Sequence, residues 1–586
     1  SSRQSELRRR GVSGLIDMLR SFAQQARADA QFIASTKYAD QIFDSINQMR
    51  KQMRSSGNSL RRSEIFNELM ARYIQTLEFN PSPATDAINR LTSIWYLATS
   101  PSYYFQNLTQ PFMISLPVMA GRHDYGNTVS ALMQAYADLK PMMAKASLNK
   151  QFDFGKLPAD VQEVINELAK RNKIDIGFES ELGRIRLEGE GKVKEGWNKV
   201  DKTLRSAGQK MEAVNRLSTA IAAYRLELSK TGDVSRATEY AQRMLDETHG
   251  DYSRFNAPRA FNTQLGKVAL QFRKFQLIQL ALLTKLVRQA GLSTPEKRAA
   301  FKSLALLLGH VGVVAGATGL PGFAMISWVL SKALSDDKEP YDLEFQLRRM
   351  IGDEDIATLI LRGAPTLAGA DLSGKLGMGN ALSVLPFTDI DFSRKGIAEA
   401  GFAALSGPAG GLALRAADGI DLMSRGEYYK GMEQFMPKGL ADVMKAVRIS
   451  NEGVTKRNGD MVMSPDEISF WESTLQGLGV QPSDQALRSF RLGVQADYEK
   501  FYQEKAADIK RDFARAYKDE DDAGKAEARQ KWKDLQDGRA ANGFKRQPLS
   551  ELIQARMGQV KRERRTVEGI QYGNGDRKFV RELTSI

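Results

Sequence analysis

The feature that most constrains the fold of this chain is a run of twenty-nine residues without a charged side chain, SLALLLGHVGVVAGATGLPGFAMISWVLS at positions 303–331. The run stands out because the chain as a whole is polar, with 26% charged residues and a mean hydropathy of −0.39. Two interpretations are open: the run forms either a helical hairpin buried in a water-soluble core or a segment that enters a lipid bilayer.

The uncharged run predicts two helices joined by a short break. The first helix is expected from about residue 295 to residue 317, and the second begins at Pro321 and ends near residue 334. At about 1.5 Å per residue the first apolar rod is near 25 Å long and the second is shorter, whereas a hydrocarbon core is ~30 Å thick. The two helices together therefore predict a kinked span or a re-entrant hairpin.

The composition of the run favours membrane insertion by a small margin. Its twelve Leu, Val, Ile and Phe residues contribute roughly −4 to −7 kcal/mol on an insertion scale, and His310 and five glycines offset part of this. Gly312 and Gly316 have the spacing at which helices approach closely in lipid, and Ala315 and Gly319 repeat it. The residues expected to act in insertion are Leu304, Leu307, Leu308, Gly312, Val313, Gly316, Gly319, Pro321, Phe323, Ile326, Trp328 and Leu330.

The rest of the sequence has mostly helical periodicity. Over 203–229, apolar residues recur at spacings of three or four and so line one face of a long helix. A second uncharged stretch, 91–121, contains three prolines and predicts short buried helices rather than a membrane span. Over 484–537 a charged, alanine-bearing pattern predicts a helix that the acidic cluster at 519–522 divides in two.

Strand patterns are nearly absent from the sequence. The exception is 454–463, where Asn458-Gly459 predicts the two-residue turn of a β-hairpin. Ser464 and Glu467 follow it with the spacing of a capping box. The sequence therefore predicts an all-α fold, an extended multi-helix protein with one small β-hairpin and an apolar helical hairpin near 295–334.

Composition along the chain predicts five segments. They are basic N-terminal helices at 1–80, a central helical region at 81–292, the apolar helical hairpin at 293–340, a glycine-rich helical region with the β-hairpin at 341–483, and charged C-terminal helices at 484–586.

Positive charge is concentrated at the two ends of the chain. Residues 1–62 hold twelve Lys and Arg against five Asp and Glu, and residues 541–586 hold ten against five, so the middle of this +14 chain is nearly neutral. Basic ends predict contact with a polyanion, either nucleic acid or anionic lipid, and the alternative is two solvated helical tails. The predicted polyanion-binding residues are Arg8, Arg9, Arg10, Arg61, Arg62, Lys561, Arg562, Arg564 and Arg565.

The sequence offers few residues for catalysis. It has no cysteine and three histidines, which excludes thiolate chemistry and leaves little imidazole chemistry. Gly189-Glu190-Gly191-Lys192 lacks the first glycine and the final hydroxyl of a phosphate loop. We therefore expect no catalytic site, no cofactor and no metal. Because the first residue is Ser1, we also expect the chain to be a piece of a longer polypeptide whose upstream part can hold an enzymatic domain.

Several phrases occur in an order that resembles the large internal virion proteins of short-tailed bacteriophages. They are SPSYYFQNLTQPF (100–112), EAVNRLSTAIAAYRLELSKTG (212–232), YSRFNAPRAF (252–261), VALQFRKFQ (268–276), the apolar ATGLPG segment (317–322) and GLGVQP (477–482). The resemblance covers about residues 80 to 485. The two ends resemble the family only in being helical and charged.

This resemblance implies an ejection protein. Such proteins are stored in the virion interior, as a core above the portal, and leave through the tail before or with the DNA. They then form a conduit through the host envelope. The implied partners are other internal virion proteins and the portal, packaged DNA bound without sequence specificity, the host inner membrane, and further copies of the chain in a ring. Some members have a peptidoglycan-cleaving transglycosylase domain near the N-terminus, and nothing in this sequence resembles it.

Two other functions fit the same features. A purely structural capsid core protein would pack against DNA and keep its apolar stretches buried. A colicin-like pore-forming toxin would combine long helices with a hidden hydrophobic hairpin, but it would also show receptor-binding and translocation regions upstream, which this sequence does not show.

Overall fold

The computed structural model describes residues 37–54, 59–77, 83–145, 158–170, 192–250, 257–291, 296–334, 340–379, 397–455, 461–554, 566–567 and 570–571. Helices make up most of these residues, and the strands found in them are two or three residues long. The prediction of an all-α fold is confirmed. The division into five segments stays a prediction.

The helices of the first half of the chain are α1 (Ala39–Arg54), α2 (Ser59–Leu77), α3 (Pro83–Ser93), α4 (Pro101–Gln110), α5 (Leu116–Ala120), α6 (Tyr125–Lys145), α7 (Ala159–Lys170), α8 (Lys192–Thr231), α9 (Val234–Thr248), α10 (Arg259–Asn262), α11 (Gln264–Ala269) and α12 (Arg273–Gly291). Short π-helical turns at Ile94–Ala98 and Pro111–Ser115 separate α3, α4 and α5.

The helices of the second half are α13 (Lys297–Ala315), α14 (Phe323–Leu334), α15 (Leu343–Ile351), α16 (Glu354–Arg362), α17 (Ser373–Leu376), α18 (Ile397–Ser424), α19 (Tyr428–Gln434), α20 (Lys438–Glu452), α21 (Phe470–Gly477), α22 (Ser483–Lys518) and α23 (Asp522–Ala541). The strands are β1 (Ala370–Asp371), β2 (Val454–Thr455), β3 (Met461–Met463), β4 (Gln481–Pro482), β5 (Thr566–Val567) and β6 (Ile570–Gln571). They pair antiparallel as β1 with β4, β2 with β3 and β5 with β6.

The chain divides into two compact units. One comprises Ser1–Pro81 with Ala257–Asn262, and the other comprises Ser82–Asn256 with Thr263–Ile586. In the first unit, the Nε atom of Arg259 on α10 lies 3.1 Å from a carboxylate oxygen of Glu68 on α2. This ion pair joins two parts of the unit that are far apart in sequence.

The core of the second unit is built around α8. Val214, Leu217, Ile221 and Tyr224 are buried, as the periodicity of 203–229 predicts. They pack against buried side chains of α5, α6, α9, α12 and α13 in one hydrophobic cluster. The prediction of a single buried face is wrong, because every residue from 214 to 224 is buried, including Arg216. The 91–121 stretch forms short helices and π-helical turns, which confirms the predicted breaks. The predicted burial holds for every residue of α5, whereas α4 buries Ser102 and Gln110 and exposes Phe105 and Leu108.

The β-hairpin and the division of the C-terminal helix are also confirmed. Strands β2 and β3 pair with Val454 opposite Met463, while the predicted Asn458-Gly459 turn lies outside the described residues. The capping box at Ser464 is present but caps a 3-10 turn, and a second capping box at Ser469 starts α21. Helices α22 and α23 are divided at Asp519–Asp521.

Candidate functional site: an apolar helical hairpin and a neighbouring basic cleft

The uncharged run forms the two helices that the sequence predicts, with slightly different bounds. The two helices pack little against each other, so the antiparallel packing of a hairpin stays a prediction, and the name apolar hairpin is kept for the two helices together. Helix α13 begins at Lys297 rather than at 295 and ends at Ala315 rather than at 317. It ends early because Gly316 adopts φ 65° and ψ −171°, a backbone conformation essentially restricted to glycine. A 3-10 turn at Ala317–Gly319 then leads to α14, which spans Phe323–Leu334.

One face of α13 belongs to the core of the second unit. Its buried residues recur every fourth or third position: Ala300, Ser303, Leu307, Val311 and Ala315. Ser303 donates a hydrogen bond from its hydroxyl to the carbonyl oxygen of Val118, 3.1 Å away. Gly121 lies so close to this face that a β-carbon on it would come within 1.8 Å of the Ser303 hydroxyl oxygen. The inner face of α13 is therefore a tightly packed soluble core.

The outer face of the hairpin exposes apolar side chains to solvent. Val313 on α13 is 62% exposed, and Trp328 on α14 is 63% exposed. Phe301, Met325, Ile326 and Val329 are exposed as well. Among the residues that the structure describes, α13 is the helix long and apolar enough to cross a membrane, and 28% of its apolar window is buried. Several large exposed apolar side chains on neighbouring helices are typical of a surface that contacts a partner or lipid.

The predicted insertion residues fall into three groups. Val313, Ile326 and Trp328 are exposed; Leu304, Leu308, Gly312, Pro321, Phe323 and Leu330 are half-buried; and Leu307, Gly316 and Gly319 are buried. The structure therefore places the predicted residues on both faces of the hairpin, and their role in insertion stays a prediction.

The predicted small-residue pairs mainly make close contacts with other segments of the same chain. A β-carbon on Gly316 would lie 2.3 Å from the backbone carbonyl carbon of Leu361 on α16, and one on Gly319 would lie 3.2 Å from the α-carbon of Gly377. The hydroxyl of Thr318 donates to the carbonyl oxygen of Leu361 at 2.7 Å, which fixes the same contact. Gly312, in contrast, faces open space.

A basic cleft adjoins the start of α13, and the sequence analysis did not predict it. The cleft encloses about 750 Å³ and lies between the loop after α5, the first turns of α6, the end of α8 and the first turns of α13. Its lining includes five cationic residues: Arg122, Arg225, Lys230, Arg298 and Lys302. Asp124 is the carboxylate among the described lining residues.

The charges of the cleft are only partly neutralised. Arg225 is paired with Asp138, with 2.7 Å between Nη1 and Oδ2. Lys302 donates from Nζ to the carbonyl oxygen of His123 at 2.9 Å, which is a neutral acceptor. Lys230 and Arg298 form no ion pair among the described residues. The Nη1 atom of Arg122 is buried and has no hydrogen-bond partner there.

His123 lies inside this positive field. Its Nε2 atom is 3.5 Å from Oε2 of Glu227, a contact that favours the charged imidazolium. Burial nevertheless lowers the pKa of His123, and the neighbouring Lys230 and Arg122 lower it further, so together these effects outweigh Glu227. The ring is therefore neutral at pH 7, and the cationic side chains dominate the potential in the cleft.

Two other polar clusters are closed to solvent. Nε2 of His249 lies 3.0 Å from Oγ1 of Thr219, and burial lowers the pKa of His249 well below its ordinary value. Ser102 lies 3.3 Å from Nζ of Lys375, and burial lowers the pKa of that lysine. A hydroxyl beside a base is the arrangement of a nucleophile, but Ser102 is 3% exposed and His249 is 1% exposed. Both clusters are therefore internal polar contacts, and Nδ1 of His249 has no hydrogen-bond partner among the described residues.

The predicted polyanion-binding residues are mostly outside the described part of the chain. Arg8, Arg9 and Arg10 precede it, and Lys561, Arg562, Arg564 and Arg565 fall in a range that the structure does not describe. Arg61 and Arg62 lie in α2, where the backbone alone is described. Binding of a polyanion by the ends of the chain therefore stays a prediction.

Comparisons with protein-family models, with curated proteins and with solved structures gave no match.

Proposed function

We propose that this chain is an internal virion protein of a short-tailed bacteriophage, which is ejected with the DNA and helps to form a conduit across the host envelope. The observation that supports this best is the exposed apolar face of α13 and α14, in a run of twenty-nine residues without a charge. The order of the sequence phrases between residues 80 and 485 supplies the phage context. In this proposal the hairpin contacts the host inner membrane after ejection.

Membrane contact can begin through the outer face without unfolding the core. Full insertion of α13 would detach its inner face, and exposing Leu307 and Val311 would cost about 3–6 kcal/mol at 1.5–3 kcal/mol each. This cost is similar to the roughly 4–7 kcal/mol that the apolar run gains in lipid. We therefore propose that the hairpin first docks at the bilayer surface and crosses it only when assembly with other copies or virion proteins supplies further free energy.

Vesicle flotation tests the membrane contact. Val313→Asp places a charge on the exposed face, which costs about 2.5–3.5 kcal/mol at the centre of a bilayer and less at its surface. We expect this variant to bind neutral phosphatidylcholine vesicles at least tenfold more weakly than the parent. Phe470→Asp is the matched control, because Phe470 is 89% exposed and belongs to α21, outside the uncharged run. Equal binding by the parent and the Val313→Asp variant, with both folded, would show that the hairpin does not contact lipid.

The phage context needs a separate experiment. Mass spectrometry of purified particles should find the chain before DNA release and should find it depleted afterwards. A purely structural core protein would stay in the emptied particle, and the buried inner face of α13 is the observation that favours this second function. A pore-forming toxin would be absent from particles altogether.

A further inference from the structure

The basic cleft has the composition of an anion-binding site. Five cationic side chains from the loop after α5, the end of α8 and the start of α13 line it, against the single carboxylate of Asp124. Asn127, Ser130, Gln134 and Ser229 add hydrogen-bonding groups to the same lining. A volume of about 750 Å³ is in the range of small-molecule sites and is large enough for a phosphate with its attached alcohol.

The cleft also has donors that the chain itself does not use. Lys230 and Arg298 have no carboxylate partner among the described residues, whereas the guanidinium of Arg122 lies over the ring of Tyr240, 6.0 Å from its centroid. Because Lys230 and Arg298 are exposed, both can contact an anion in the cleft. The neutral state of His123 removes one positive charge, but the surplus of cations over carboxylates remains.

The position of the cleft selects the kind of anion. Arg298 and Lys302 lie in the first turns of α13, directly before the uncharged run that starts at Ser303. Cations at the end of an apolar segment lie at the level of the lipid headgroups when that segment contacts a membrane. Basic pockets at this level bind anionic headgroups.

We propose that this cleft binds the phosphate of an anionic phospholipid headgroup and thereby orients the apolar hairpin on the membrane. Arg122 would supply a planar guanidinium for the phosphate oxygens, and Lys230, Arg298 and Lys302 would supply point charges around it. The choice of a lipid, rather than a soluble phosphate, rests on the proposed function of the hairpin.

The test compares vesicles with and without 30% phosphatidylglycerol. Lys230→Gln/Arg298→Gln removes two exposed cations of the cleft, and Lys500→Gln/Lys531→Gln removes two cations that are 50% and 52% exposed on α22 and α23. Both doubles change the net charge equally. At about fivefold per cation, we expect the cleft double to lose roughly 25-fold in affinity for anionic vesicles, and the control double to lose much less. Neither double should alter binding to neutral vesicles.

The outcomes of this experiment distinguish a failure of the cleft assignment from a failure of the proposed function. If the parent binds neutral vesicles but phosphatidylglycerol adds nothing, the cleft assignment is wrong while the hairpin proposal stands. If both doubles lose affinity equally, the attraction is diffuse and the cleft is not a site. If glycerol 3-phosphate binds the parent and not the cleft double, but anionic vesicles bind both alike, the ligand is a soluble phosphate and the lipid assignment fails. Loss of duplex DNA binding, with vesicle binding unchanged, would likewise overturn it.

Discussion

Alanine at Gly316 should lower the free energy of unfolding, whereas alanine at Gly312 should raise it. In Gly316→Ala, the new methyl would meet the Leu361 backbone at 2.3 Å, in a backbone conformation of φ 65° and ψ −171°. Such a conformation costs a non-glycine residue about 1–3 kcal/mol, and overpacking against a fixed backbone costs about 1–3 kcal/mol more. We expect Gly316→Ala to lower the free energy of unfolding by about 2–6 kcal/mol.

Gly312→Ala is the matched control within the same motif. Gly312 lies inside α13, and a β-carbon on it would have no heavy atom within 4 Å. Alanine in place of glycine in a helix interior stabilises by roughly 0.5–1 kcal/mol. Helix packing in lipid, by contrast, would make both glycines important for membrane binding and neither for stability in water.

Urea titration followed by circular dichroism measures both effects. With a slope of about 3 kcal/mol per M, the Gly316→Ala change would lower the midpoint by roughly 0.7–2 M, and Gly312→Ala would raise it slightly. Equal midpoints for the two variants and the parent would refute the close contact between Gly316 and α16. Loss of vesicle binding in Gly312→Ala with unchanged stability would instead support a lipid-facing role for Gly312.

Three further predictions follow from the buried histidine, the basic ends and the sparse chemistry. His249 stays neutral in the folded protein because burial lowers its pKa, whereas an unfolded histidine binds a proton below about pH 6.5. The free energy of unfolding should therefore fall by up to about 1.4 kcal/mol per pH unit below pH 6.5. An equal fall in the His249→Gln variant would contradict this. If the C-terminal cluster Lys561, Arg562, Arg564 and Arg565 neutralises about four phosphates, a plot of log DNA affinity against log salt concentration should have a slope near −3.6. Glutamine at all four positions should flatten this slope. Binding that survives molar salt, or that depends on DNA sequence, would contradict the prediction. Incubation with peptidoglycan, nucleotides or nucleic acid should give no hydrolysis above a matched blank, and turnover of any of these would overturn the prediction of no catalysis.

The sequence predicts those parts of the fold that depend on neighbours in the chain. The apolar residues of α8 that recur three and four positions apart are buried as expected, and the bounds of α13 and α14 lie within two residues of those expected. The second capping box at Ser469 was also visible in principle, because Glu472 stands three residues later.

The sequence does not predict contacts between distant segments. Arg122 and Lys302 are 180 positions apart, and each looks like an ordinary surface cation until the fold brings both to one cleft. The same reason explains Gly316, which has the spacing of a lipid-packing glycine but in the structure meets Leu361 on α16. Local pattern therefore indicated an apolar run, while the division of α13 into an inner packed face and an outer exposed face depended on tertiary structure.

The two faces of α13 set the conditions for the membrane contact that we propose. A long apolar helix exposed on all sides would promote aggregation in water, and a helix buried on all sides would have no exposed apolar face to contact a bilayer. In α13 the buried face at Leu307 and Val311 stabilises the soluble state, while Val313 on the other face stays exposed. Because the costs and gains of insertion are of similar size, a small added term decides the outcome. An anionic headgroup in the neighbouring cleft, or contact with further copies of the chain, would supply such a term at the membrane and not in free solution.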